Sequence, residues 1–134
     1  TGLRDLISWN NDEMTADLFD AFHRETANMM IDFFNDIEVR ASYGQAAKII
    51  AIYLKTSVII RDSGLGNISK IAHPPVDNIL LTQLHRQYPY LVDAGVKWTQ
   101  LDESNYFRLI HNLRQLNFEY FWEIEKYWTP AQFE

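Results

Sequence analysis

Lys48, Lys55 and Asp77 are the residues of this chain whose types and spacing most directly suggest chemistry. The two lysines stand two helical turns apart on an otherwise apolar stretch, Ala46 to Ile60. A lysine held against an apolar wall has its charged form disfavoured, and the freed amine is a nucleophile for Schiff-base chemistry. Asp77 follows Pro74-Pro75, which fix its approach at the start of the next helix. Lys48 or Lys55 with Asp77 is therefore the candidate catalytic set. The plainer alternative is that the lysines run their stems over apolar surface and that Asp77 complements a helix dipole.

Histidines supply a second candidate. Asp20 and His23 are spaced i, i+3 and share one helix face. Such acid–x–x–His pairs supply ligands in metal-binding helical bundles, where a second pair completes the set. This chain has one pair. His85 and His111 fall on other predicted helices, and three histidines converging from three helices would suit Zn²⁺ or Ni²⁺. Asp20, His23, His85 and His111 are thus the candidate metal ligands, and histidines in surface or capping roles are the alternative. No cofactor-binding fingerprint is present. Gly64-Leu65-Gly66 is too short for a dinucleotide or phosphate loop and reads as a turn. No nucleophile elbow or Ser/His/Asp order stands out.

The pattern Gly44-x-Ala46-x-Lys48, Tyr53-Leu54-Lys55 and His73-Pro74-Pro75-x-Asp77-x-x-Leu80 resembles a segment of small, uncharacterised bacterial helical proteins. More remotely, a helical lysine followed by Pro-x-Asp at a helix start is similar to the helix-hairpin-helix DNA glycosylases. That resemblance spans residues 44–84. It implies a nucleobase- or nucleic-acid-acting enzyme in which the lysine attacks and Asp77 positions or activates it. The family's glycine hairpin precedes its lysine, whereas Gly64-x-Gly66 lies downstream of both Lys48 and Lys55.

Composition narrows the field. The chain has 134 residues, 47% of them hydrophobic and 14% aromatic, enough to bury a core and to exclude disorder. One helical domain, residues 1–134, is expected. The absence of cysteine removes disulfide scaffolds and thiolate sites and fits a reducing, cytoplasmic setting. No signal peptide is visible, and no apolar run approaches the roughly 20 residues of a membrane span. The net charge of −6 disfavours non-specific nucleic-acid binding. It is unevenly spread: residues 1–38 carry nine acids against Arg4 and Arg24, whereas residues 39–97 carry seven bases against three acids.

The elements that must position these groups are helices, and the expected fold is all-α, an irregular bundle of four main helices plus short ones. Residues 14–35 form the first main helix, capped by Asn11 or Asp12, after a short helix at 3–9. Leu18, Phe22, Met29 and Phe33 make its buried stripe, widened by Ala21, Ile31 and Phe34; Asp17, Asp20, Arg24, Asn28 and Asp32 make its wet side. Residues 43–61, capped by Ser42, are apolar on nearly all sides and should lie at the centre, with some strand character at Val58-Ile59-Ile60. Pro74-Pro75 opens a third helix, which buries Val76, Ile79, Leu80 and Leu84 and stops before Pro89. Residues 90–101 form a loop with one helical turn, and Gly95 suits a left-handed position. Residues 103–128, capped by Asp102 and ended by Pro130, form the longest helix. Its surplus of aromatics, Tyr106, Phe107, Phe118, Tyr120, Phe121, Trp122, Tyr127 and Trp128, fits either a large core or an exposed strip for a protein partner or a second copy. The leading expectation is accordingly a non-enzymatic interaction module, with the Lys/Asp enzyme and the His-based metal bundle as alternatives.

Overall fold

The computed structural model describes residues 14–61 and 63–129. The expected helix at 3–9, the caps Asn11 and Asp12, and Pro130 lie outside them. The architecture is all-α, and the described residues contain no strand. Helix α1 is Ala16–Asp36, α2 is Tyr43–Leu54, α3 is Asn67–Ile71, α4 is Asn78–Gln87 and α5 is Glu103–Arg114. A π-helical turn, Lys55–Ile59, extends α2, and 3₁₀ turns cover Trp98–Gln100 and Phe121–Tyr127. No helix among the described residues is long and apolar enough to cross a membrane.

Local chemistry sets most helix starts. Ser42 caps α2 in a capping box, its hydroxyl accepting from the Gln45 N–H at 3.1 Å while the Gln45 side chain accepts from the Ser42 N–H at 2.9 Å. Asp102 caps α5 by accepting from Asn105 N–H at 2.8 Å. Thr15 caps α1. Asp77, rather than the proline pair, opens α4: its extended backbone and its bond from Leu80 N–H at 3.0 Å make it the cap. Pro74 and Pro75 stay in an extended lead-in.

Three further expectations are corrected. The first is the buried face of α1. Leu18, Met29 and Phe33 are 56%, 62% and 60% exposed, whereas Phe19, Asp20, His23 and Ala27 are buried. The helix is thus turned roughly a third of a turn from the face that apolar periodicity selects, at ~100° per residue. The second is α2, which is not buried all round: Ile49 and Ile52 lie at the surface, as does Ile60 beyond the π turn. The third is the helix over 103–128, which stops at Arg114. Asn117 takes a left-handed conformation at φ 56°, as asparagine tolerates after a helix end. The chain then folds back, and Phe121, Trp122 and Ile124 enter the core beside α3 and α4. Phe118, Phe121, Ile124 and Tyr127 recur at a spacing of three, which eclipses side chains on a 3₁₀ helix as readily as it marks an α-helical stripe.

The core runs continuously through all five α-helices and the C-terminal 3₁₀ turn. One backbone approach ties its centre together. Gly44 N–H donates to the Leu101 carbonyl at 3.0 Å, and a Cβ at Gly44 would stand 2.1 Å from the Trp98 carbonyl oxygen. Gly44→Ala should therefore cost about 1–3 kcal/mol in urea unfolding, the usual penalty of overpacking. An unchanged midpoint would show that the 98–101 turn does not press on α2.

Candidate functional site

Turning α1 inward by its Asp20–His23 side assembles a polar cluster inside the bundle. His73, which precedes the prolines, donates from Nε2 to Asp20 Oδ1 at 2.8 Å. A carboxylate only accepts, so Nε2 carries the proton and Nδ1 accepts from the Tyr106 hydroxyl at 2.8 Å. Arg114, from the last turn of α5, grips both Asp20 oxygens at 2.7 and 2.8 Å. His23 pairs through Nδ1 with the Tyr43 hydroxyl at 2.8 Å, and its ring stacks on Tyr106 at 5.3 Å. Its Nε2 is buried with no protein partner among the described residues. His23, His73 and Tyr106 are 1%, 2% and 1% exposed.

Burial decides the protonation states. It pushes both histidines below their ordinary 6.5, and for His73 the hydrogen bond to Asp20 only partly opposes this. Burial alone would raise the Asp20 carboxyl, but the hydrogen bonds from Arg114 and His73 outweigh it and hold the group well below the usual range. Burial also raises the Tyr43 and Tyr106 phenols far above their ordinary 10.0. The cluster at neutral pH is one Asp–Arg ion pair with neutral imidazoles and phenols arranged around it. Of its members, Tyr43 alone reaches a surface cavity, of about 300 Å³, which Asn28, Ser42, Gln100 and Glu103 also line. The relay from Arg114 through Asp20 and His73 to Tyr106 joins α1, the segment before the prolines and α5, and so fixes these helices in place.

Asp20 and His23 thus come together, though in company with His73 rather than with His85 or His111. His85 lies in α4 and hydrogen-bonds the Val92 carbonyl at 2.6 Å; His111 is exposed on α5. The described residues hold no group of three His, Asp or Glu side chains placed to ligate a metal. At Asp20 the Arg114 guanidinium already supplies the positive charge that a metal ion would bring.

Lys48 and Asp77 do approach, at 3.3 Å, while Lys55 pairs with Glu125 instead. Every oxygen of Asp77 is engaged. Oδ1 caps α4, and Oδ2 takes both Lys48 and the Trp128 indole N–H, the latter at 2.9 Å. Lys48 also lies over the Trp98 ring at 4.7 Å. Glu125 accepts from the Trp122 indole N–H at 2.7 Å through its other oxygen. Lys48 therefore ties α2 to the start of α4, where Trp128 also docks on Asp77, and Lys55 ties the π-helical turn to the C-terminal segment.

Sequence reasoning singled out Asp20 and His23 but missed His73, Tyr106 and Arg114 as their partners. His73 stood beside two prolines and read as turn punctuation, and Tyr106 read as one more apolar aromatic. The one usable signal was an acid and a histidine spaced i, i+3 on one face of an amphipathic helix.

The cluster makes stability depend on pH with a definite sign. The unfolded chain protonates both histidines near 6.5, and the folded one resists. Their contribution is complete above that pH and is lost as pH falls below it, at about 1.4 kcal/mol per pH unit per histidine. Asp20 adds a further loss below 3.8, and the phenols a separate loss as pH rises above 10.0. Denaturant unfolding across these ranges should give a plateau near neutrality, and His23→Phe should make the acid slope shallower. A flat acid limb would contradict the burial of these imidazoles. Asp20→Ala, which strands Arg114, should cost about 3 kcal/mol or slightly less, given the partial exposure of Arg114. Compared with protein-family models, with curated proteins and with solved structures, the chain matches none.

Proposed function

We propose that the protein is an interaction module, cytoplasmic in keeping with its lack of cysteine, that docks a protein partner on the outer stripe of α1. The observation that carries this reading is the exposure of Leu18, Met29 and Phe33 along one side of the longest helix, continued by Ile37 and Val39. Each of the larger side chains offers about 1.5–3 kcal/mol when removed from water. The C-terminal aromatics, expected to form the docking strip, are mostly spent on the core. Tyr106, Phe121 and Trp122 are buried, and Trp128 is the large aromatic of that segment left well exposed. The docking surface therefore moves to α1.

The triple variant Leu18→Ser, Met29→Ser, Phe33→Ser tests whether the stripe serves the fold or a partner. Exposed side chains carry little folding energy, so its unfolding free energy should stay within about 1 kcal/mol of wild type. A loss above about 3 kcal/mol would make the stripe part of the core and remove the proposed surface.

The approach of Lys48 to Asp77 at 3.3 Å favours a second reading, a glycosylase-like lyase acting on nucleic acid. Asp77 is engaged three ways and Lys48 is tied to it, so borohydride should trap no covalent adduct on a duplex carrying an abasic site. An adduct that disappears with Lys48→Ala would overturn the interaction-module reading in favour of the enzyme.

A further inference from the structure

Resting on the α1 reading, we infer that the partner element is a basic amphipathic helix. The apolar side chains of the stripe do not stand alone. Glu25, Asp32 and Asp36 lie in the same sector of α1 as Leu18, Met29 and Phe33, at helical spacings of three and four. All three acids are exposed. Among the described residues, none of them has a basic side chain within ion-pair distance. The arginine of this helix, Arg24, is committed elsewhere, with its guanidinium 4.0 Å over the Phe107 ring of α5.

That interleaving selects among occupants. A second copy laid stripe to stripe would set carboxylates against carboxylates in a region being stripped of water, which is costly without counter-charges. Nucleic acid and anionic lipid are repelled for the same reason. A helix with an apolar seam flanked by lysines or arginines satisfies both halves of the surface at once: its seam covers Leu18, Met29 and Phe33, and its cations meet Glu25, Asp32 and Asp36. The stripe from Leu18 to Phe33 is about 22 Å long, which matches a partner of roughly four helical turns. Met29, with the half-buried Met30 beside it, gives the surface an unbranched side chain that adapts to different partners.

The test uses the full chain and three labelled peptides, each about 18 residues long. One has leucines on a single helical face and lysines elsewhere, one has glutamates in place of the lysines, and one has serines in place of the leucines. Fluorescence anisotropy should show the Leu/Lys peptide binding at least about tenfold more tightly than either of the others. The Leu18→Ser, Met29→Ser, Phe33→Ser variant, whose charge is unchanged, should weaken it by about tenfold or more. Glu25→Gln with Asp32→Asn and Asp36→Asn should weaken it comparably and remove most of its salt dependence. Equal binding of the Leu/Lys and Leu/Glu peptides would overturn the basic-helix inference while leaving α1 as the docking surface. Binding that the serine variant does not weaken would overturn both. Dimerisation abolished by the serine variant would assign the stripe to a second copy, and failure of every peptide to bind would likewise overturn the inference.

Discussion

The grip of Arg114 and His73 on Asp20 is the interaction on which the rest of the molecule depends. It joins three parts of the chain that are far apart in sequence: the first long helix, the segment just before the prolines, and the end of α5. A buried carboxylate is tolerable only when its charge is answered and its lone pairs are filled. Asp20 meets both conditions in one rotational setting of α1. Any other setting would leave Arg114 and His73 without their acceptor and would carry Asp20 away from its donors. The apolar stripe, offering a hydrophobic gain if it turned inward, is held outside by this requirement.

The same arrangement explains why the molecule holds so much polar chemistry with so little access to it. Tyr106 donates to His73 and is covered by His23, which in turn bonds Tyr43, so the two imidazoles and the Tyr106 phenol lie inside the bundle. Around the outside, Lys48 with Asp77 and Lys55 with Glu125 fasten the C-terminal 3₁₀ segment and Trp128 to α2 and α4. Exposed pairs of this type add little stability each, but here they specify where an irregular segment returns. The chemically suggestive side chains thus hold helices in position, while the outer face of α1 leaves Leu18, Met29 and Phe33 in water.

How much of this was legible in the sequence follows the range of the interaction. Ser42 and Asp102 announced their helices because a cap acts over three residues. The all-α class was readable from apolar spacing, and the expected nearness of a helical lysine to Asp77 is met by Lys48. The rotation of α1 was not readable, because periodicity ranks side chains by type and places Asp20 and His23 outside. The partners that bring Asp20 inside stand 53 and 94 residues away. The break after Arg114 was hidden for another reason: aromatics spaced by three satisfy an α-helical and a 3₁₀ stripe equally, and only the left-handed Asn117 decides between them. The candidate site was therefore half visible, as two residues with the right character assigned to the wrong side of their helix.

The central claim is that polar ties, against the pull of apolar burial, set the facing of α1. The chain has no cysteine, so single cysteines report facing without background. Thiol labelling of the native protein should modify cysteines at Met29 and Phe33 at nearly the rate of an unstructured peptide. Cysteines at Phe19 and Ala27 should be protected by about a hundredfold or more. The reverse pattern, with positions 29 and 33 protected and 19 and 27 open, would contradict the account.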